Sequence, residues 1–200
     1  MIAGGNMLDS KLIESTRQRL HVVMPSSTAG LDEMESVNTR LEVPLQRQEQ
    51  GNWCWAAVAV TVFDFHRNGA GSSQCEVVNL ELARPDCCPN NPQCNQLATL
   101  DRPLKRNRNF RGIQPSRAPF PAVITEITNR RPLGCRVVWF GGGSHFLLVH
   151  GFATHGSGMK TIEIADPWFG PSTQNFDTFP ADYQLRGKWT HTYLTKRSQV

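Results

Sequence analysis

The sequence has no apolar run approaching the roughly 18–20 residues of a membrane-spanning helix, which predicts a soluble chain without a helical span. Its start, Met1 to Ser10, lacks a basic stretch followed by an apolar core, so no secretory signal peptide is visible. If the protein is exported, it leaves by a route that needs no such signal, or the signal has been removed. A large charge imbalance is also absent: the net charge of +4 over 200 residues does not by itself argue for nucleic acid. No internal repeat and no low-complexity tract is present. The four clustered cysteines, Cys75, Cys87, Cys88 and Cys94, lack the C-x2–4-C pairs of a tetrahedral zinc site. Their even number predicts two disulfides, hence exposure to an oxidising compartment, with free thiols and zinc as rivals. The pairing stays open, except that a bond between adjacent Cys87 and Cys88 is sterically disfavoured.

What is present is organised around Gln48-Glu49-Gln50-Gly51-Asn52-Trp53-Cys54-Trp55-Ala56-Ala57. A cysteine sits between two tryptophans, after a polar turn and before the apolar run Ala56 to Phe63. The alternation of Val58, Val60 and Val62 would suit a strand. Length favours a helix instead, from Asn52 as N-cap to Gly69 as the residue that ends it. Cys54 then lies in the first helical turn, where the dipole and unpaired N–H groups favour a thiolate. A buried cysteine is more often plain core, so a nucleophile needs a histidine partner elsewhere.

The length suits one ordinary domain plus a tail. Residues 1–40 are polar, with a short amphipathic stretch from Leu8 to Leu20, and read as an N-terminal extension or pro-region. The domain proper is expected over 41–200. Leu41 to Leu45 alternates and is expected as its first strand. A second helix carries Cys75, Val78, Leu80 and Leu82 and stops near Pro85. Residues 86–112 read as an irregular surface loop stapled by the cysteines. Its cations Arg102, Lys105, Arg106, Arg108 and Arg111 are expected to be solvated rather than to contact an acidic partner. Pro119 to Arg131 is expected as a helix, with Val123, Ile124 and Ile127 on one face. Strands are expected at Arg136 to Phe140, His145 to Phe152, Thr161 to Asp166 and Lys188 to Leu194, the last closing the sheet. Helices first and strands after give an α+β class.

Among the six histidines, His145 stands out because it follows Gly141-Gly142-Gly143-Ser144 at the start of a buried strand. In a hairpin-connected pair, Asp166 at the end of the next strand lies at the same end of the sheet. It can then orient the imidazole by a hydrogen bond. His66, His150, His155 and His191 read as structural. Nucleic-acid binding fits poorly, since the basic residues lie in one stretch with only Phe110 interleaved.

Together, Gln48-x5-Cys54-Trp55-Ala56, His145 with its apolar strand ending Gly151-Phe152, and Asp166-Pro167-Trp168 resemble the papain-like cysteine peptidases. The Asn52 to Ala57 form and the Cys87-Cys88 pair are most similar to a bacterial branch. That branch includes the avirulence-effector cysteine proteases of plant pathogens and is related to the double-glycine leader peptidases. The resemblance spans roughly 41–195. It implies a papain-like α+β fold, in which an N-terminal helical lobe with a central buried helix packs on a C-terminal antiparallel sheet. It further implies a cysteine endopeptidase with Cys54 as nucleophile, His145 as general base and acid, and Asp166 as orienter. Gln48 and the Cys54 N–H would donate to the oxyanion, with Gln50 as the rival to Gln48, and Trp168 would shield the His–Asp bond. No cofactor and no metal are implied. The implied partners are a protein or peptide substrate and an activating host protein, with no nucleic acid and no membrane span. The implied site of action is outside the bacterium or in a host cell, the alternative being the bacterial cytoplasm. The same residues would serve acyl transfer or deamidation. A degenerate binding module is the alternative from another class, against which the intact residue set argues.

Overall fold

The computed structural model describes residues 36–68 and 71–198. Most of the expected N-terminal extension, including Leu8 to Leu20, lies outside them. The described elements follow the order β1 (Val37–Arg40), α1 (Cys54–His66), α2 (Gln74–Leu82), a 3₁₀ turn (Pro92–Cys94), α3 (Asp101–Arg106) and β2 (Phe110–Gln114). Then come α4 (Phe120–Thr128), β3 (Leu133–Trp139), β4 (Ser144–Thr154), β5 (Lys160–Asp166), β6 (Gly170–Asn175) and β7 (Gly187–Thr195). The class is α+β. All strand pairs are antiparallel, in the order β2-β7-β3-β4-β5-β6, with β1 pairing the far part of β4.

The sheet is covered on both faces, which explains why β4 is apolar along most of its length rather than alternating. Phe146 and Leu148 pack with α1, α2 and Leu100 in one cluster, while Leu147 and Val149 pack with α4, Ile162 and Ile164 in the other. Helix α1 is buried nearly all round and packs on β4. That burial accounts for its strand-like valine alternation: a helix enclosed on every side has no polar stripe to reveal its period. Helix α2 begins at Ser73, whose side chain accepts from the Glu76 N–H, and ends at Ala83 in the left-handed region. Of its expected apolar positions, Cys75 and Val78 are buried, but Leu80 is exposed.

Three expectations are corrected, and one strand, β6, was not expected. The first strand is Val37–Arg40 and not Leu41 to Leu45. Leu41 still donates to the His150 carbonyl at 2.8 Å, after which Pro44 offers no ladder donor and the chain departs. Leu41, Val43 and Leu45 instead pack against the core clusters. Residues 86–112 are not one irregular loop, because α3 and the start of β2 lie inside them. Strand β7 does not close the sheet; it runs between β2 and β3. Strand β6 carries Gly170, Pro171 and Asn175, poor strand formers, and its short edge position tolerates them.

The cysteine cluster forms two disulfides, Cys75–Cys88 and Cys87–Cys94. Asp86 lies beside the second, but the sulfurs of Cys87 and Cys94 are spent on each other and do not offer thiolates to a metal. Among the described residues, four of the five basic residues of this stretch are paired, and Arg108 is not. Arg102 (2.8 Å) and Arg106 (3.1 Å) share Glu81, Lys105 holds Asp101 at 2.6 Å, and Arg111 holds Glu126 at 2.5 Å. Arg102, Arg106 and Arg111 thus tie α3 and β2 to neighbouring helices and Lys105 pairs within α3, while all five cations stay exposed as expected.

Strands β3 and β7 approach most tightly at Gly187, where an added Cβ would meet the Val138 carbonyl at 2.6 Å and Val137 Cγ1 at 2.7 Å. Gly187→Ala is therefore expected to destabilise the fold by about 1–3 kcal/mol, read as a lower urea midpoint at unchanged slope.

Candidate active site

The nucleophile candidate is set by how α1 begins. Cys54 is the first helical residue, and no side chain caps the helix. Asn52 is not the N-cap. Its amide donates to the Asn95 carbonyl at 2.9 Å, and its backbone N–H donates to Asn95 Oδ1 at 2.8 Å. The flanking tryptophans continue the same seam: Trp53 Nε1 donates to the Cys94 carbonyl at 2.8 Å, and Trp55 Nε1 to the Gln96 carbonyl at 3.1 Å. The disulfide-stapled segment 94–96 thus docks along residues 52–55. The uncapped first turn keeps backbone N–H groups and the positive end of the dipole beside the sulfur.

Cys54 and Cys135 are the two free cysteines among the described residues. Burial pushes the Cys135 thiol well up, Arg117 opposes this and Asp166 adds to it, so Cys135 is a neutral core group. Cys54 is 5% exposed and lines a cleft of about 470 Å³, with Leu97, Ala98, Ile113, Arg136 and Tyr193 on its walls. His191, read as a structural strand residue, also lines this cleft.

The glycine turn between β3 and β4 delivers His145. Gly142 and Gly143 take φ of 97° and 82°, a region that disfavours other residues, and the turn closes with Gly142 donating to the Trp139 carbonyl. His145 pairs Val137 in the register, and Asp166 ends the strand on the other side of β4. His145 Nε2 and Asp166 Oδ1 lie 2.8 Å apart, buried. Asp166 therefore takes Nε2 and leaves Nδ1 as the nitrogen available to Cys54. Cys54 lies close enough that its hydrogen bonding and its charge both favour the protonated ring. Such contacts commonly tighten with substrate bound.

Asp166 is fully enclosed, and its oxygens are matched by donors. Trp168 and Phe169 N–H donate to Oδ1 at 2.7 and 3.0 Å, and the Tyr183 hydroxyl donates to Oδ2 at 3.0 Å. Burial alone would raise its pKa; the His145 hydrogen bond and charge and the two N–H donors hold it below the ordinary carboxylate value. For His145, burial opposes the imidazolium, but the hydrogen bonds and charges of Asp166 and Cys54 outweigh it, and the pKa is pushed up to about 9. Burial next to the negative Asp166 raises the Tyr183 phenol, so it stays a proton donor.

Tyr183 had no signal in the sequence, since it stands in an irregular segment far from any motif. The shielding role expected of Trp168 falls to other rings. Trp139 stacks on His145 at 6.0 Å and Phe169 meets its edge at 6.2 Å, whereas Trp168 is 51% exposed and contributes its backbone N–H. Gln48 is brought to the same neighbourhood, its backbone N–H donating to the Pro167 carbonyl at 3.0 Å. Its side-chain amide donates to the carbonyls of Gln50 (2.9 Å) and Gly51 (2.8 Å), and its Oε1 is buried without a partner. The Gln50 amide donates to the Asn91 carbonyl at 3.1 Å. His150 caps the Leu41 carbonyl at 2.7 Å, and His155 meets Thr161 Oγ1 at 3.2 Å in its turn.

The family model described as papain-like cysteine protease AvrRpt2 matches residues 37–184, a span holding Gln48, Cys54, His145, Asp166 and Tyr183. No curated protein matches the chain.

The sign of the His145 shift sets a pH test. A folded pKa raised from 6.5 to about 9 adds stability that is fully present below pH 6.5 and lost as pH rises through about 9. Urea unfolding across that window should show stability falling with pH, and Asp166→Asn should flatten the slope.

Proposed function

The chain belongs to the family of the papain-like cysteine protease AvrRpt2 and is a cysteine-type peptidase, and from that premise we propose that it is an endopeptidase working through Cys54, His145 and Asp166. The observation that carries this reading is the 2.8 Å His145–Asp166 bond beside a free cysteine at an uncapped helix start. Its substrate is a protein. In this reading the helical part bearing Cys54 and the sheet bearing His145 face each other across the cleft in the papain-like manner. The resemblance to avirulence effectors supports delivery to a host cell, and activation by a host protein there is part of the same proposal.

The chemistry runs as follows. Asp166 holds Nε2–H, so Nδ1 takes the Cys54 proton, and the sulfur attacks the peptide carbonyl carbon as the carbonyl electron pair moves to oxygen. The developing oxyanion is met by the Cys54 N–H at the helix start and by the Gln48 amide. Gln48 must exchange one of its bonds to the Gln50 and Gly51 carbonyls for the oxyanion. His145 then protonates the departing amine from Nδ1, the C–N bond breaks, and a thioester forms. Water, deprotonated by His145, attacks the thioester and frees both the acid and the thiol. The raised imidazole pKa supports this cycle, because the protonated ring forms readily beside the sulfur.

Cys54→Ala is expected to abolish cleavage of a peptide library while leaving the melting curve in place; retained cleavage would remove the reading. Product masses separate hydrolysis from crosslinking and from the small mass gain of deamidation. Gln48→Ala is expected to lower kcat by a factor on the order of 10²–10³. A Gln48→Ala enzyme with full kcat but a lower melting temperature would reduce Gln48 to a tether of the Gln50–Gly51 turn.

A further inference from the structure

A hollow larger than the Cys54 cleft lies at the opposite end of α1. It measures about 540 Å³ and is walled by His66, Arg67, Arg106, Arg108 and Arg197. Two further depressions adjoin it through shared residues. One of about 400 Å³ adds Arg130, Arg131 and Lys196 to His66 and Arg197, and another of about 370 Å³ joins Arg108 to Lys105 and Lys196. No Asp or Glu lines these three, whereas a fourth depression of about 360 Å³, which shares Phe65, Asn68 and Arg130, carries Glu42 and Asp64 and is not part of the basic groove. Arg106, Arg131 and Lys105 each hold a carboxylate outside the lining, but Arg67, Arg108, Arg130, Lys196 and Arg197 have no ion pair among the described residues. Five unbalanced cations around one connected groove repel one another, and a bound anion relieves that repulsion.

The groove is held by the fold rather than by loose ends. Lys196 N–H donates to the Asn109 carbonyl at 2.9 Å, and the buried Asn109 amide returns a bond to the Lys196 carbonyl at 2.9 Å, so Arg108 and Arg197 flank a fixed clamp. Asn68, Arg108 and Arg130 all take positive φ, at 59°, 59° and 56°. Arginine at such a position is strained where glycine would not be, and strain of this kind gathers at functional sites. His66 is 9% exposed, and its Nε2 has no partner while lining two of the depressions. Burial lowers its pKa to about 4, with Arg197 and Arg130 adding to the effect, which places a neutral N–H donor in a positive field.

We propose that this groove binds a compact polyphosphorylated anion, either a free inositol polyphosphate or the headgroup of a phosphoinositide. Phosphate chemistry is indicated by planar guanidinium forks on several sides of the groove, whose hollows of about 370 to 540 Å³ have room for a multiply phosphorylated ring rather than a single phosphate. A nucleic acid fits less well. The neighbouring rings that could stack on bases are covered, Phe63 by Arg67 at 4.9 Å and Phe65 by Arg130 at 5.8 Å.

The test uses the full chain and two probes, inositol hexakisphosphate in solution and phosphatidylcholine vesicles with or without phosphatidylinositol bisphosphate. Calorimetry should show one saturable site for the soluble probe, weakening between about 0.05 and 0.3 M salt, together with a raised melting temperature. Arg108→Asn/Arg197→Gln should lose about tenfold or more in affinity, while Lys188→Gln, on β7 away from the groove, should not. Asparagine tolerates the positive φ at position 108; should the double variant misfold, Arg197→Gln alone, beyond β7, carries the comparison. The His66 imidazole resonance, titrated by NMR, should move to higher pKa on binding. Vesicle sedimentation that needs the phosphoinositide and is competed by the soluble probe assigns the headgroup; soluble binding without sedimentation assigns the free anion. Unchanged affinity in the arginine variants, no binding of either probe at about 1 mM, or tighter binding of single-stranded RNA that neither probe displaces would overturn the proposal.

Discussion

The proposed site depends on one constraint: the first turn of α1 must be held where a sulfur can meet an imidazole carried by the sheet. Four hydrogen bonds from residues 52–55 to the 94–96 backbone and the Asn95 side chain hold it. A segment with so little secondary structure of its own does not supply a rigid dock unaided. The two disulfides anchor it, Cys87–Cys94 shortening its own span and Cys75–Cys88 fixing it to α2. A cross-link acts chiefly by removing conformations from the unfolded chain, and here it also confines the carbonyls that the tryptophan N–H groups require. Trp53 and Trp55 are fully buried, so losing those acceptors would leave indole donors unpaired in the core.

The histidine side is fixed by different means. Asp166 ends β5 at the same end of the sheet as the β3–β4 turn, and antiparallel pairing on both sides of β4 brings it to His145 without a long side-chain reach. A buried carboxylate would be costly alone. Here two backbone N–H groups, a phenol and an imidazole match its lone pairs, so it stays ionised and keeps the ring oriented. Gln74, itself buried, fixes the segment whose Gln48 N–H bonds the Pro167 carbonyl next to Asp166. Its amide donates to the Arg47 carbonyl at 2.7 Å and its oxygen accepts from the Glu49 N–H at 3.1 Å, bracketing Gln48.

Much of this was legible because the chemistry-bearing residues sit where strong local signals lie. The buried run after Cys54, the glycine turn before His145 and the Asp-Pro stop after β5 each mark an element boundary. Residues acting through long-range docking left no such mark. Asn52 looked like a cap because local sequence shows a side chain beside a helix start, while its Asn95 partner is 43 residues away. Tyr183 and Trp139 were missed for the same reason. Leu41 to Leu45 alternates because it packs against the two core clusters, and alternation does not tell packing from pairing. The pairing of Arg102, Arg106 and Arg111 left no local mark because their partners Glu81 and Glu126 lie on other helices.

Helix α1 joins two regions of opposite demand. Twelve residues separate Cys54 from His66, about 18 Å along the axis at 1.5 Å per residue. At physiological ionic strength the screening length is about 8 Å, so charge at the arginine groove is largely shielded from the Cys54–His145 pair where solvent intervenes. The helix C-terminus carries a partial negative charge of about half a unit, which several full cations exceed. Occupancy of the groove would therefore reach the proposed catalytic end through packing rather than through the field. The route available is narrow: α1 is enclosed by both the sheet and the stapled segment, and a buried helix in a close-packed core moves as a unit or not at all. A shift large enough to disturb Cys54 would also have to break the tryptophan seam at residues 94–96. The fold thus favours a groove that anchors or stabilises the molecule while leaving the geometry at Cys54 in place.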